Sequence, residues 1–263
     1  TVDSFGDEWE RFNQSELSPE ETQQIFDQYF KIFPWDSLPN DAEGFDMGCG
    51  SGRWARVIAD QVGHLNCIDP SNAIEVAKNS LAEFKNVSFY KKSVDEFSLD
   101  IGSQDFGYSL GVLHHVPNTK KAIQECSALL KPGAPFLMYL YYALETQSIW
   151  YKFLWKCSDY LRKIICRLPS NIKHLVTDFL AIILYFPLAR IAFLIEKLGI
   201  SVSGFPLSFY RNCSFYTMRT DSRDRFGTPL EQRFTQSEIN ELMLQSGFKN
   251  IVFSESEPKW CVV

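Results

Sequence analysis

The sequence predicts an α/β protein, with a doubly wound, mostly parallel sheet of seven strands and an inserted helical cap. From about Gly44 onward, short apolar segments alternate with helical segments, an order typical of a parallel sheet. A long apolar and helical stretch then interrupts this alternation before it resumes near the end of the chain. The 263 residues are enough for one such domain plus an insertion.

The seven predicted strands are short apolar runs. Five of them lie in the alternating region, at 44–47, 64–68, 87–91, 106–110 and 136–141. The helices between them are predicted to begin near Arg53, Asn72 and Thr119, and Pro132-Gly133 ends the last of these. Two further strands, 248–254 and 259–263, complete the sheet.

Helix start and stop signals occur near both ends of the chain. Ser18 followed by Pro19 is typical of an N-cap and the first residue of a helix. Thr235 and Glu238 have the spacing of a capping box, in which each side chain bonds the other residue's backbone N–H. Gly247 is suited to the left-handed residue that ends the helix they begin.

Composition restricts the classes of function. The chain carries 26 Lys and Arg against 32 Asp and Glu, and this net charge of −6 argues against a nucleic-acid partner. Seven cysteines without a C-x-x-C pair predict reduced, buried thiols in a cytoplasmic protein. The four histidines show no spacing typical of metal ligands, so no metal is expected.

A glycine-rich turn follows the first predicted strand, in the segment Phe45-Asp46-Met47-Gly48-Cys49-Gly50-Ser51-Gly52. Glycines at alternate positions let a strand turn abruptly into a helix and let a ligand approach the backbone. Asp69 ends the next strand, where an acid accepts hydrogen bonds from two ribose hydroxyls. The dinucleotide pattern G-x-G-x-x-G would need glycine at Arg53. The sequence therefore predicts a site for an adenosine-containing ligand.

These residues resemble the class I S-adenosylmethionine-dependent methyltransferases, particularly the small-molecule group that includes ubiquinone-biosynthesis-like enzymes. Besides the glycine turn, the segments 86–95, 105–116 and 129–137 carry the resemblance, which resumes at 234–263. It implies a Rossmann-like methyltransferase fold whose last two strands pair antiparallel at the sheet edge. It also implies S-adenosyl-L-methionine as cofactor, with S-adenosyl-L-homocysteine as product.

The resemblance implies a set of cofactor contacts. Asp46 would bond the ammonium end, and Asp69 would bond the ribose hydroxyls, although Asp69 is also a suitable N-cap for the following helix. Family members with an acid in the third loop often carry it at the place of Ser93, so a role for Asp95 beside the adenine stays open. The expected contacts are Asp46, Gly48, Cys49, Gly50, Gly52, Asp69, Pro70, Ser71, Ser93, Val94, Asp95 and Leu110.

Two histidines follow the fourth strand, where the resemblance places the reactive methyl group. The imidazole of His115, or that of His114, is a candidate general base for a hydroxyl or ring nucleophile. The family carries this motif even where no base has a clear role, so packing is the alternative. The expected reaction is methylation of an oxygen, nitrogen or carbon of a small or amphipathic molecule.

The resemblance divides the chain into four segments. Residues 1–43 are expected to form a helical segment that closes over the cofactor, with packing of its aromatic residues against the sheet as the alternative, and 44–144 to form the cofactor-binding core. Residues 145–233 form the helical insertion and substrate loop, and 234–263 return to the core as a helix and edge strands.

The insertion is the main departure from the family. Between residues 146 and 204, eight Lys or Arg oppose three Asp or Glu, a local net charge of +5. A membrane-spanning helix is not expected, because the longest run without charge is 179–189 and contains Pro187. Three alternatives stay open: a lid over the substrate pocket, lipid-facing helices at a membrane surface, and a dimer-forming arm. A membrane-bound lipid or quinone acceptor, or a non-catalytic module, is the alternative function.

Overall fold

The computed structural model describes residues 2–14, 16–96, 99–202, 204–256 and 258–263, apart from the side chain of Asp3. Its strands are β1 Glu43–Met47, β2 His64–Ile68, β3 Val87–Tyr90, β4 Phe106–Leu110, β5 Phe136–Tyr139 and β6 Cys261–Val262. Its helices are α1 Val2–Arg11, α2 Pro19–Tyr29, α3 Arg53–Ile58, α4 Ala73–Ser80, α5 Thr119–Leu129, α6 Ile149–Ile165, α7 Ser170–Leu180, α8 Phe186–Lys197, α9 Phe215–Gly227 and α10 Gln236–Gln245.

The sheet is doubly wound, as predicted. Its strand order is β3-β2-β1-β4-β5-β6, with the first five strands parallel and β6 antiparallel to β5. The strand order reverses direction between β1 and β4, so the carboxyl ends of these two strands border the crevice where such sheets bind ligands. The Ser109 hydroxyl donates to the Met47 carbonyl at 2.8 Å and joins the two strand ends.

The prediction of seven strands is wrong for the described residues, which form six. Segment 248–254 is reduced to a single antiparallel bridge between Phe253 and Val262, flanked by backbone hydrogen bonds between Val252 and Val263. Asn250 has a positive φ of 58°, which turns the chain within this segment, before the bridge. Segment 248–254 therefore pairs with β6 at a single bridge and does not form a strand.

Apolar side chains cover both faces of the sheet. One buried cluster combines residues of α2 and α3 with Leu65 and Tyr108, and the other combines residues of α5 and α10 with Phe45 and Met138. Successive side chains of a strand point to opposite faces, so a strand buried on both faces is apolar throughout. The predicted capping signals are confirmed: Ser18 Oγ accepts from the Glu21 N–H, and Thr235 and Glu238 form a capping box.

The chain divides into two compact units. The sheet unit comprises Val2–Gln14, Thr22–Ala143 and Leu230–Val263, and the helical unit comprises Leu144–Pro229 with residues 16–21. In the helical unit, α6 and α7 both pack on α9. Its buried cluster consists of Ile165, Tyr185, Ala189, Met218 and Phe226.

Residues Ser170–Lys197 form one continuous helix of 28 residues. By length and mean hydropathy, 2.0 over its most apolar window, it is long and apolar enough to cross a membrane. Pro187 lies inside this continuous helix. A π-helical turn at Ala181–Tyr185 ends two residues before the proline, and its wider winding accommodates the ring and the missing N–H.

Candidate cofactor and active site

The turn after β1 requires glycine at three positions. Gly48, Gly50 and Gly52 have φ angles of 84°, 54° and 80°, in the left-handed region that side chains with a Cβ rarely adopt. A Cβ atom at Gly48 would lie 2.5 Å from the methyl carbons of Val112, and one at Gly50 would lie 3.1 Å from the indole of Trp9. The turn is therefore closely packed as well as conformationally restricted.

Four backbone N–H groups of this turn, those of Gly48, Cys49, Gly50 and Gly52, have acceptors within the protein. The N–H groups of Gly48 and Cys49 donate to the Ile68 carbonyl at 2.7 and 3.1 Å, and that of Gly52 donates to the Cys49 carbonyl. A pyrophosphate is bound by unsatisfied N–H groups at such a turn. These four N–H groups are therefore not free to bind a phosphate in this conformation.

The carboxylate of Asp69, directly after β2, faces the glycine turn. Its Oδ2 accepts from the Gly50 N–H at 3.0 Å, and its Oδ1 accepts from the backbone N–H and hydroxyl of Ser71 at 2.8 and 2.6 Å. The Ser71 hydroxyl also accepts from the Ala73 N–H at the start of α4. Each carboxylate oxygen has two lone pairs, so Asp69 is held in place while keeping capacity to accept from a ligand hydroxyl.

Asp46, near the end of β1, is a buried carboxyl with an unsatisfied oxygen. The residue is 2% exposed, and its Oδ2 has no hydrogen-bond partner in the described part of the chain. Burial raises the pKa of Asp46 to about 8, the neighbouring Tyr108 hydroxyl lowers it, and the charge of Asp69 raises it. An unpaired buried carboxylate is costly, and a ligand ammonium group would satisfy it. The residues present thus fit the amino-acid end and the ribose of the expected cofactor.

The other expected contacts lie in different surroundings. The Cys49 side chain is buried in the apolar core, where burial raises the pKa of its thiol, so only its backbone borders the turn. Leu110 packs on the same core at the end of β4, and Pro70 is half-buried beside Asp69. In the loop after β3, Val94 packs on the opposite apolar cluster. The loop is otherwise more open.

Asp95 is exposed in that loop. Its pKa is lowered chiefly by a hydrogen bond from Ser93, with smaller contributions from its own backbone N–H and from Lys121. The carboxylate is therefore directed to its own loop. The Ser93 backbone N–H in turn donates to Glu96 at 2.9 Å, so the geometry gives Asp95 no feature that favours it as the adenine partner.

The two histidines occupy the short 3₁₀ helix Leu113–His115 and differ in their hydrogen bonds. The Nδ1–H of His115 donates to the Leu230 carbonyl at 2.6 Å, which places the lone pair of the neutral ring on Nε2. His114 is fully buried between His115 and Tyr141, and neither ring nitrogen has a hydrogen-bond partner among the described residues. Burial, with smaller effects of His115 and Arg233, holds the pKa of His114 well below its ordinary value. The His115 ring is therefore held through Nδ1, whereas His114 is buried with a lowered pKa.

Helix α1 lies across the predicted site. Its Phe5 ring packs edge-on against His115 with centroids 5.0 Å apart, and Trp9 lies against Gly50. Between them, Gly6 approaches Ser71, because a Cβ added there would lie 3.7 Å from the Ser71 Cβ. The aromatic spacing of α1 signalled an amphipathic helix, but nothing local in the sequence specifies which surface that helix covers.

Comparison with known proteins identifies the segment around this site. A family model described as "Methyltransferase domain" matches residues 45–138. A ubiquinone biosynthesis O-methyltransferase of Coxiella burnetii is 30% identical over 90 residues, covering 34% of this chain and 38% of the relative. Phosphoethanolamine N-methyltransferase 2 of Caenorhabditis elegans is 34% identical over 101 residues, covering 36% and 23%. The chain thus spans well under half the length of these curated relatives.

A solved structure from Thermotoga maritima covers more of the chain. It is described as a SAM-dependent methyltransferase, possible histamine N-methyltransferase, and is 15% identical with a TM-score of 0.48. The similarity covers 94% of this chain and 82% of that one.

Proposed function

We propose that this chain, whose residues 45–138 form a methyltransferase domain of the class I S-adenosylmethionine-dependent family, methylates an oxygen, nitrogen or carbon of a small or amphipathic molecule. The observation that carries this proposal is the pairing of Asp69 with Gly50 beside the unsatisfied Oδ2 of Asp46. When bound, S-adenosyl-L-methionine supplies the methyl group as a sulfonium and leaves as S-adenosyl-L-homocysteine.

The residues of the turn act mainly by positioning, which is the larger part of catalysis in a direct group transfer. Asp69 would accept hydrogen bonds from the ribose hydroxyls, and Ser71 keeps the Asp69 carboxylate oriented through two hydrogen bonds. Asp46 pairs with the α-ammonium group, which favours the ionised form of this carboxyl.

His115 is proposed as the general base where the acceptor must lose a proton. The hydrogen bond from Nδ1 to the Leu230 carbonyl fixes the ring, and Nε2 accepts the proton of the acceptor group. The adjacent His114 stays neutral and supports the orientation of the His115 ring through their contact at 4.0 Å between centroids.

Helix α1 is proposed to close the cofactor site. It covers the glycine turn through Trp9 and contacts His115 through Phe5, so it excludes water from the site and must move to admit the cofactor. Hydrogen exchange should show slower exchange in residues 2–11 when S-adenosyl-L-homocysteine is added. Peptides from α10, which packs on α5 on the other face, serve as the control.

A second candidate acceptor is a membrane-bound lipid or quinone. Large apolar side chains are exposed along α6 and along Ser170–Lys197, a surface suited to an apolar environment. The proposed location is the cytoplasm, with peripheral attachment to a membrane in this case. Turnover of one hydroxylated aromatic acceptor, presented with a short soluble tail or with a long apolar tail in vesicles, separates the two candidates.

Calorimetric titration with S-adenosyl-L-homocysteine tests the function. We expect Asp69→Ala to weaken binding at least about tenfold, because the ribose loses its acceptor. Asp100→Ala, which removes an exposed acid elsewhere in the sheet unit, should bind like wild type. Equal affinity of the Asp69→Ala variant and wild type would overturn the assignment.

A turnover assay separates an enzyme from a non-catalytic module with the same fold. Purified protein is incubated with S-adenosyl-L-methionine and fractionated cell extract, and S-adenosyl-L-homocysteine is measured. Binding without product formation in any fraction would favour the module.

A further inference from the structure

The exposed face of α6 is apolar along its whole length. Its exposed residues recur every three or four positions, as expected for one stripe of a helix, and include Trp150, Phe153, Leu154, Cys157, Tyr160, Leu161 and Ile164. Phe153 is 65% exposed and Tyr160 is 68% exposed. The opposite face contains Arg162, which is buried and bonds Asp159 and the Thr228 carbonyl. The helix thus has an apolar exterior and a partly charged interior.

The long helix Ser170–Lys197 likewise exposes large apolar residues and buries small or polar ones. Its buried positions are mainly small or polar residues, namely Lys173, Thr177, Ala181, Tyr185, Ala189 and Ala192. Most of its exposed positions are large and apolar, including Ile172, Leu175, Phe179, Ile182, Ile183, Phe186, Ile191 and Leu194. Water-exposed helices bury their large apolar residues, whereas helices in lipid pack through small residues and expose large ones.

The interior of the helical unit contains many polar residues beside its buried apolar cluster. The central helix α9 buries Thr217, Thr220, Ser222 and Arg223, and the Ser222 hydroxyl donates to the Thr177 carbonyl at 2.8 Å. Polar groups in a helical interior need hydrogen-bond partners, and the adjoining helices supply them. Large apolar side chains are therefore left for the outer faces.

The charges on the long helix favour an orientation in the plane of a membrane. Asp178 pairs with Arg219 at 3.2 Å, and Arg190 donates to the Arg211 and Cys213 carbonyls. These polar partners lie along the inner side of the helix and are suited to water or headgroups. A helix that crossed the bilayer would place these polar groups in the hydrocarbon. An orientation in the membrane plane, with one face toward water and the other toward lipid, fits these contacts better.

The net positive charge of this region favours an anionic partner. From α6 through α8, eight Lys or Arg oppose three Asp or Glu, and Lys156, Lys163, Arg167 and Lys197 are exposed. A second copy of the chain would bring the same positive charge against it, whereas an anionic leaflet is complementary. Exposed Trp150 and Tyr160 are suited to the headgroup level of a bilayer.

We propose that the exposed apolar residues of α6 and of Ser170–Lys197 form a docking face that inserts into the surface of an anionic lipid bilayer, with both helices in the membrane plane. The docking face belongs to the helical unit. It stands independently of methyl transfer, because none of its residues takes part in the cofactor site.

Vesicle co-sedimentation of the full chain tests the docking face. Wild type should bind vesicles of phosphatidylcholine with phosphatidylglycerol more tightly than vesicles of phosphatidylcholine alone. The triple variant Phe153→Ser, Leu175→Ser, Leu194→Ser should bind about a hundredfold more weakly, because three exposed apolar side chains no longer enter the lipid. The matched control Ile101→Ser, Leu244→Ser, Val252→Ser alters three exposed apolar residues of the sheet unit and should bind like wild type.

A probe on α6 reports insertion directly. Cys157 is exposed and lies in the apolar stripe, so a thiol-reactive, environment-sensitive fluorophore placed there in a Cys166→Ser background should shift to the blue on adding anionic vesicles. Equal sedimentation of wild type and the triple variant, or no shift of the probe, would overturn the proposal. Conversion of a dimer to a monomer by the triple variant, without vesicle binding by wild type, would assign the face to a second copy instead.

Discussion

The backbone N–H of Gly50 donates a 3.0 Å hydrogen bond to Oδ2 of Asp69, and this bond joins the turn after β1 to the acid that follows β2. The two residues are separated by α3 in the chain, and they meet because β1 and β2 are parallel neighbours with Met47 opposite Ile68. The carboxylate is thus oriented before any ligand arrives, which reduces the entropy lost on binding.

Asp46→Asn should change how stability depends on pH. The folded-state pKa of Asp46 is raised to about 8 from 3.8, so the folded protein holds a proton that the unfolded chain has released between these values. The stability of wild type without cofactor should therefore fall as the pH rises from 4 to 8. Thermal unfolding across this range should show a flatter dependence for the Asn variant, and parallel curves would contradict the burial of an unpaired carboxyl.

Cofactor binding should depend on pH in the opposite sense. The α-ammonium group pairs with the ionised carboxyl, so S-adenosyl-L-homocysteine should bind wild type up to about tenfold more weakly for each pH unit below 8. Titrations at pH 6, 7 and 8, compared with the Asn variant, measure this effect. An affinity independent of pH would remove Asp46 from the ammonium contact.

Gly50→Ala should lose cofactor binding for a reason beyond backbone strain. Gly50 and Gly133 both have positive φ, so alanine at either position should cost about 1 kcal/mol in the free energy of unfolding. Only at Gly50 would the new methyl group meet Trp9, since a Cβ at Gly133 meets no atom within 4 Å. Denaturant unfolding and calorimetry of both variants separate the effects, and equal binding by the two would argue against Gly50 as a contact.

His115→Gln should lower the rate of methyl transfer about a hundredfold or more while leaving cofactor affinity nearly unchanged, because it removes a base and keeps a hydrogen-bonding side chain. His114→Phe keeps the ring packing of a neutral buried residue and should retain most of the rate. A larger loss in the His114 variant would reverse the two roles.

Thr235→Ala should destabilise the protein by about 1 kcal/mol, because the N-cap of α10 loses its hydroxyl bond to the Glu238 N–H. Thr235→Ser keeps that hydroxyl and should remain near wild type in urea unfolding. Hydrogen bonds from the Thr235 backbone and hydroxyl lower the pKa of Glu238 in the folded state. The difference between the Ala and Ser variants should therefore shrink as the pH falls below 4.5.

The predicted bounds of β2 and β4 agree with the structure, as do the start of α5 and the capping box of α10. Each of these features depends on residues close together in the chain, whose apolar spacing or capping chemistry acts locally. The prediction of a seventh strand was wrong because a strand forms only where a segment pairs with another over several residues. Within segment 248–254, only Phe253 forms a bridge, to Val262.

The sequence by itself determined the parallel α/β core, the glycine turn and the acid that follows the second strand. The alternation of strands and helices and the residues of a positive-φ turn depend on residue types close together in the chain. Only the tertiary structure decided that α1 covers this turn, that Asp46 is buried with an unsatisfied oxygen, and that the helical unit buries polar residues while exposing large apolar ones. These properties depend on which surfaces meet. Burial and the pKa shifts it causes arise from packing between segments distant in the chain.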